Sequence, residues 1–245
     1  MRLERLDVER HEDVVRIWLS GRPLDAREGS ELVAVAGELR EDRDVRVVVL
    51  ASRAPDLCPG RATDLEPRGW GPDPAAAIAA LRPPVVAACR GRVESVGLEL
   101  ALAADVRLAA TTSHFSMADV AGGRLPCWGG TQRLPRAIGV PRATSMLLLG
   151  DDIDGTAAAE AGLVHRTVGV DDFEGAVEEV VATLRNLAPL ALEFAKEAVA
   201  RGTELSLVDA LHLEGDLNHL LQTTTDRAEG LAAFFDKRDP HFSGR

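Results

Sequence analysis

The sequence has little of what a disulfide framework, a zinc knuckle or a membrane anchor requires. Its 245 residues include three cysteines. Cys58, Cys89 and Cys127 form no Cys-x-x-Cys pair and sit in apolar or Gly/Pro-rich surroundings, which excludes a thioredoxin-type motif and a secreted disulfide scaffold. A reducing cytoplasm is the expected compartment. No run of about 18 apolar residues occurs, and charges are spread through Met1 to Ser20, so neither a membrane span nor a signal peptide is expected. Lysine is nearly missing: Lys196 and Lys237 stand against an excess of arginine. The net charge of -11 repels nucleic acid, and no local basic patch offsets it. His212 and His219 are seven residues apart in a helical reading and the other histidines are scattered, so no metal site is expected.

What is present reads as α/β. Val14 to Leu19, Val45 to Ala51, Val85 to Cys89 and Val106 to Ala109 are short and mostly rich in β-branched residues, and read as strands. Between the first two, Leu32, Val35, Ala36 and Leu39 share one face at helical spacing. An apolar Ala/Leu stretch predicts a further helix over Gly97 to Ala104. Strands alternating with helices imply parallel pairing with right-handed crossovers and ligand sites near strand ends. From about Asp171 the pattern is almost wholly helical: Phe173 to Leu187, Pro189 to Ala200, Ser206 to Leu221 and Asp226 to Lys237. The chain therefore divides into an α/β body, residues 1–170, and a helical part, residues 171–245, read as one functional unit because no low-complexity linker separates them. Trp70 lies in a Gly/Pro-rich stretch, Pro67 to Pro74, expected to be a loop.

Residues 85–109, VVAACRGRVESVGLELALAADVRLA, form a strand, a Gly-containing turn and a helix with a carboxylate near its start. This segment resembles the signature of the crotonase (enoyl-CoA hydratase/isomerase) superfamily. Further matches occur in the family's order: Arg22 to Ala26, Leu57 to Gly60 with Asp64-Leu65, Phe115 to Asp119, Pro126 to Leu134 (PCWGGTQRL), Leu149-Gly150, Ala161 to Val164 and Glu229 to Gly244. The resemblance covers nearly the whole chain, and the ordered combination is far more specific than any one glycine motif. It implies a fold of repeated ββα units with a helical C-terminal trimerisation region, a homotrimer or dimer of trimers, and action on an acyl-coenzyme A thioester. Coenzyme A is then part of the substrate, and no separate cofactor is implied. A carrier-protein arm presents the same pantetheine thioester.

Enolate chemistry on a thioester needs two preorganised N–H donors for the carbonyl oxygen. By resemblance these are the backbone amides of Arg61, just after Gly60, and Val96, just before Gly97 at a helix start, where free amides and the positive end of the helix dipole meet. Leu24, Ala26, Gly60, Asp64, Leu65 and Gly97 line the implied substrate site. The chain departs from the family at several positions: Asp25 stands where asparagine is usual, two extra residues separate Gly60 from Asp64, and Val96 replaces a common glycine. Hydration also needs groups that hold a water, take its proton and deliver a proton to the α-carbon. Glu99 and Asp119 occupy the family's two carboxylate positions, although the second is usually glutamate, one methylene (about 1.5 Å) longer.

Each of these residues has a plainer reading. Glutamate on a helix is most often exposed, but Leu98, Leu100, Ala101 and Leu102 surround Glu99 and argue for burial. Asp119 also fits an N-cap or a loop carboxylate, and the glycines fit simple turns. The expected activity is addition of water to a 2-enoyl-CoA. The alternatives are an isomerase or decarboxylase of the same fold using one carboxylate, and a catalytically weak acyl-CoA-binding paralogue.

Overall fold

A computed structural model describes residues 3–65 and 73–245; of the stretch containing Trp70, residues 67–72 lie outside the described residues, and its last residue, Pro74, begins a helix. The chain opens with a hairpin, β1 (Asp7–His11) and β2 (Val14–Leu19), and continues through α1 (Ala26–Glu41), β3 (Val47–Ser52), β4 (Cys58–Pro59) and α2 (Pro74–Ala79). Next come β5 (Val85–Cys89), β6 (Arg92–Glu94), α3 (Val96–Ala103), β7 (Val106–Ala110) and β8 (His114–Ser116). After a 3-10 turn over Asp119–Gly122 lie α4 (Gly130–Ile138), α5 (Val140–Leu149), β9 (Ile153–Asp154), α6 (Gly155–Glu160) and β10 (Arg166–Val168). The chain ends in α7 (Phe173–Arg185), α8 (Pro189–Gly202), α9 (Leu207–Gln222) and α10 (Thr225–Asp236).

The strands form two sheets, one of order β1-β2-β3-β5-β7-β10 and one of order β4-β6-β8-β9. Each repeat gives one strand to each sheet: β3 and β4, β5 and β6, β7 and β8. This is the ββα unit, and it replaces the simple strand–helix alternation read from hydrophobic runs. The long strands were visible because they are buried on both faces and read as continuous apolar runs. In β3 every residue is buried, and alternation splits the strand between two cores. Val48 and Leu50 pack with Leu32, Val35 and Leu39 of α1, Ile78 of α2 and Leu98 of α3. Val47, Val49 and Ala51 pack with Phe173, Ala176, Val177 and Val181 of α7. Helix α7 thus covers the large sheet, while α8 to α10 expose many of their apolar side chains.

The second sheet was not visible in the sequence because its strands have two or three residues each, too few for a period to register. Asp25 starts α1 by accepting a hydrogen bond from the Glu28 amide at 2.8 Å, the ordinary N-cap role, and pairs with Arg5.

Candidate active site

The small sheet builds the site by register. Pro59 pairs with Glu94 across β4 and β6, and Glu94 pairs with Ser116 across β6 and β8. All three strands are parallel, so the residues after each strand emerge at the same edge: Gly60-Arg61, Ser95-Val96, and Met117 to Asp119. Outside the carboxyl ends of parallel strands is where α/β sheets place their ligands.

Gly60 has φ +112°, open to glycine and strained for other residues. Its carbonyl accepts the Leu24 amide at 2.9 Å, and the Leu24 carbonyl accepts the Ala62 amide at 2.9 Å. These bonds commit the Ala62 N–H and leave the intervening Arg61 N–H without a protein acceptor among the described residues. Val96 is the first residue of α3, so its N–H has no intrahelical acceptor. Gly97 permits the closeness of the two segments: a Cβ there would lie 2.4 Å from the Cys58 carbonyl oxygen. Ser95, between β6 and α3, takes φ +48°, ψ -118°, a conformation costing a non-glycine residue about 1 to 3 kcal/mol.

Glu99 is fully buried. Its Oε1 accepts the Trp128 amide at 2.7 Å and the Gly130 amide at 2.8 Å, and Oε2 accepts a longer bond from the Cys127 amide. Gly130 fits because a Cβ there would meet Pro126 at 2.8 Å and Glu99 Cγ at 3.1 Å. Burial pushes the Glu99 pKa up, the three amides oppose it, and the nearby Asp119 charge raises it further. A carboxyl balanced in this way suits proton transfer.

Asp119 is also buried. Its Oδ1 accepts from Ser95 Oγ at 2.7 Å and from Arg61 Nη2 at 3.1 Å, while Oδ2 has no partner among the described residues. The Arg61 side chain is 4 % exposed; its Nη2 also reaches Cys127 Sγ at 3.5 Å, and its Nε is buried without a partner among the described residues.

The structure therefore brings Glu99, Asp119, Gly60, Arg61, Val96, Gly97 and the buried Leu24 to one place. Ala26, at the start of α1, and Asp64 are exposed, and Leu65 is half-buried against the core. Sequence reasoning missed Ser95, the inward turn of the Arg61 side chain, and the Trp128 and Gly130 amides that hold Glu99. Ser95 was detectable in principle as the residue joining a strand to a free helix amide. The Arg61 side chain carried no such signal, because the motif assigns that position a backbone role.

Residues 10–245 match the family model for enoyl-CoA hydratase/isomerase. The chain belongs to the enoyl-CoA hydratase/isomerase family. Within it, the chain is 34% identical over 265 aligned positions to the probable enoyl-CoA hydratase echA8 of Mycobacterium bovis, covering 100% of both. It is 36% identical over 182 positions to the 2,3-dehydroadipyl-CoA hydratase of Escherichia coli, covering 74% of this chain and 69% of that one. The crystal structure of enoyl-CoA hydratase from Bacillus anthracis superposes with a TM-score of 0.89 at 31% identity, covering 99% of this chain and 100% of that one. The crotonase resemblance and its fold of ββα units are thereby confirmed for this enoyl-CoA hydratase/isomerase family member.

Proposed function

We propose that this enzyme adds water across the double bond of a 2-enoyl-CoA thioester. The observation that carries the reading is the convergence, at one sheet edge, of two amides without acceptors among the described residues and a buried carboxyl whose pKa is raised. The thioester oxygen takes both amides, from Arg61 and Val96. Glu99 takes the water's proton as the water oxygen bonds to the β-carbon, and the π electrons move to the carbonyl oxygen as an enolate. The enolate then collapses as Glu99 returns that proton to the α-carbon, which regenerates its carboxylate. Asp119 Oδ2, which has no partner among the described residues, holds the water from the other side, so the two carboxylates bracket it. Removing one oxyanion donor typically costs about 100 to 1,000-fold in rate.

The Arg61–Asp119 ion pair favours a second reading, in which Glu99 alone moves protons and the reaction is isomerisation or decarboxylation. A panel of acyl-CoAs with product masses separates the two. Gain of one water marks hydration, unchanged mass with altered retention marks isomerisation, and loss of carbon dioxide marks decarboxylation. No turnover on any member would leave the acyl-CoA-binding paralogue.

We propose that exposed apolar side chains on α5, α9 and α10 meet partner copies; Leu149, Leu207, Phe234 and Phe235 are each at least three-quarters exposed. A surface this apolar fits an interface, and we place the homotrimer or dimer of trimers there. Among the described residues no helix is long and apolar enough to cross a membrane, and the three cysteines are free, in keeping with a reducing cytoplasm.

A further inference from the structure

One atom, Asp119 Oδ1, is shared by the two residues that carry the oxyanion amides. It accepts Ser95 Oγ at 2.7 Å, and the Ser95-Val96 peptide presents the Val96 N–H. It also accepts Arg61 Nη2 at 3.1 Å, and the Arg61 backbone presents the other N–H. We infer that Asp119 is a positioning residue that locks both halves of the oxyanion hole in register, with Ser95 and the Arg61 side chain as its two arms. The inference rests on the oxyanion-hole reading above and assigns Oδ1 a task separate from any contact Oδ2 makes with water.

The need for such a lock lies in Ser95. Its φ of +48° is not one a serine holds unaided, and strain of this kind persists only where surroundings over-determine it. Three bonds do so here: the Ser95 amide donates to the Ser116 carbonyl at 3.0 Å, the Ser95 carbonyl accepts the Glu99 amide at 3.0 Å, and the hydroxyl donates to Asp119. The ψ of Ser95 sets the plane of the peptide carrying the Val96 N–H, so a relaxed Ser95 turns that donor away. On the other strand Gly60 meets nothing within 4 Å of a built Cβ, so side-chain packing does not fix the next peptide. The Leu24 amide, donating to the Gly60 carbonyl at 2.9 Å, holds that peptide, and the Arg61 side chain, anchored on the same carboxylate and against Cys127 Sγ, ties it to Asp119. Misplacement of a donor by about 1 Å is enough to cost on the order of 100-fold.

The test reads the oxyanion hole without turnover. Butyryl-CoA labelled with carbon-13 at the carbonyl has no double bond to hydrate, and its isotope-edited infrared band reports how strongly the bound carbonyl is polarised. The wild-type enzyme is expected to shift this band to lower frequency. Ser95→Gly, which accepts the backbone conformation but lacks the hydroxyl, and Asp119→Ala are both expected to lose most of the shift. Asp119→Asn keeps an acceptor oxygen for Ser95 Oγ and is expected to retain it, even where its hydration rate falls. The shift surviving in both Ser95→Gly and Asp119→Ala overturns the inference. No shift in the wild-type enzyme overturns the oxyanion-hole reading itself. Circular dichroism on each variant identifies a loss due to unfolding, and Ser95→Gly, which leaves the Arg61–Asp119 pair intact, then decides the question.

Discussion

Glu99 has two separable tasks, and a pair of substitutions divides them. Its Oε1 accepts two short bonds from buried amides, those of Trp128 and Gly130, so it staples the loop after Pro126 to α3. Glu99→Gln keeps an oxygen of the same reach and retains both bonds, whereas Glu99→Ala removes the acceptor and opens a cavity. Each orphaned buried amide costs about 1 to 3 kcal/mol, so the alanine variant is expected to lose about 2 to 6 kcal/mol, a large share of the roughly 5 to 15 kcal/mol that holds a domain together. The glutamine variant is expected to fold within about 1 kcal/mol of wild type but to lose about 100 to 10,000-fold in kcat, the usual worth of a general acid–base group. Urea melts and steady-state rates on the best acyl-CoA measure both. The sign of the pH dependence is fixed too. Burial raises the Glu99 pKa, so its proton is held more tightly in the folded state. Its favourable contribution is complete below the unfolded pKa and lost as pH rises through the folded one. Stability should therefore move in favour of Glu99→Gln as pH rises through that range. Equal melts for the alanine and glutamine variants would refute the staple, and near-normal turnover by Glu99→Gln would refute the proton role.

Gly97→Ala places a Cβ 2.4 Å from the Cys58 oxygen; β4 and α3 must part, and a loss of about 1 to 3 kcal/mol together with a collapse of kcat is expected from melts and kinetics. Burial pushes the Cys58 and Cys89 thiols up to about 12 and Cys127 to about 11, so alkylation at pH 8 followed by peptide mass mapping should label the native protein far more slowly than the urea-unfolded one. Phe234→Glu combined with Phe235→Glu charges an exposed apolar ridge of α10; sedimentation should show the assembly replaced by smaller species, and an unchanged sedimentation coefficient would remove α10 from the interface.

How far the sequence reached depended on element length and on what each motif assigns. The long strands and α7 to α10 showed their periodicity, and β2 and β5 have the bounds that the hydrophobic pattern predicts. The second sheet did not show, because β4, β6, β8 and β9 are too short to carry a pattern, yet it is this sheet that aligns Gly60, Ser95 and Met117. Glu99 was found because it stands at a carboxylate position of the family motif, and its apolar helical neighbours argued for its burial. Arg61 was found only as a backbone amide. An arginine beside a glycine turn reads as solvated surface, and the buried pairing with Asp119 depends on β4 and β8 lying on either side of β6, a relation that no local window contains.

Addition of water to a conjugated thioester through Glu99 is tested most directly with crotonyl-CoA in water enriched in heavy oxygen, by absorbance and by mass analysis of the acyl product. Wild-type enzyme is predicted to abolish the conjugated absorbance and to yield a hydroxyacyl product carrying the heavy oxygen, and Glu99→Gln to do neither. A wild-type enzyme that binds crotonyl-CoA and leaves both its absorbance and its mass unchanged would contradict the hydratase mechanism.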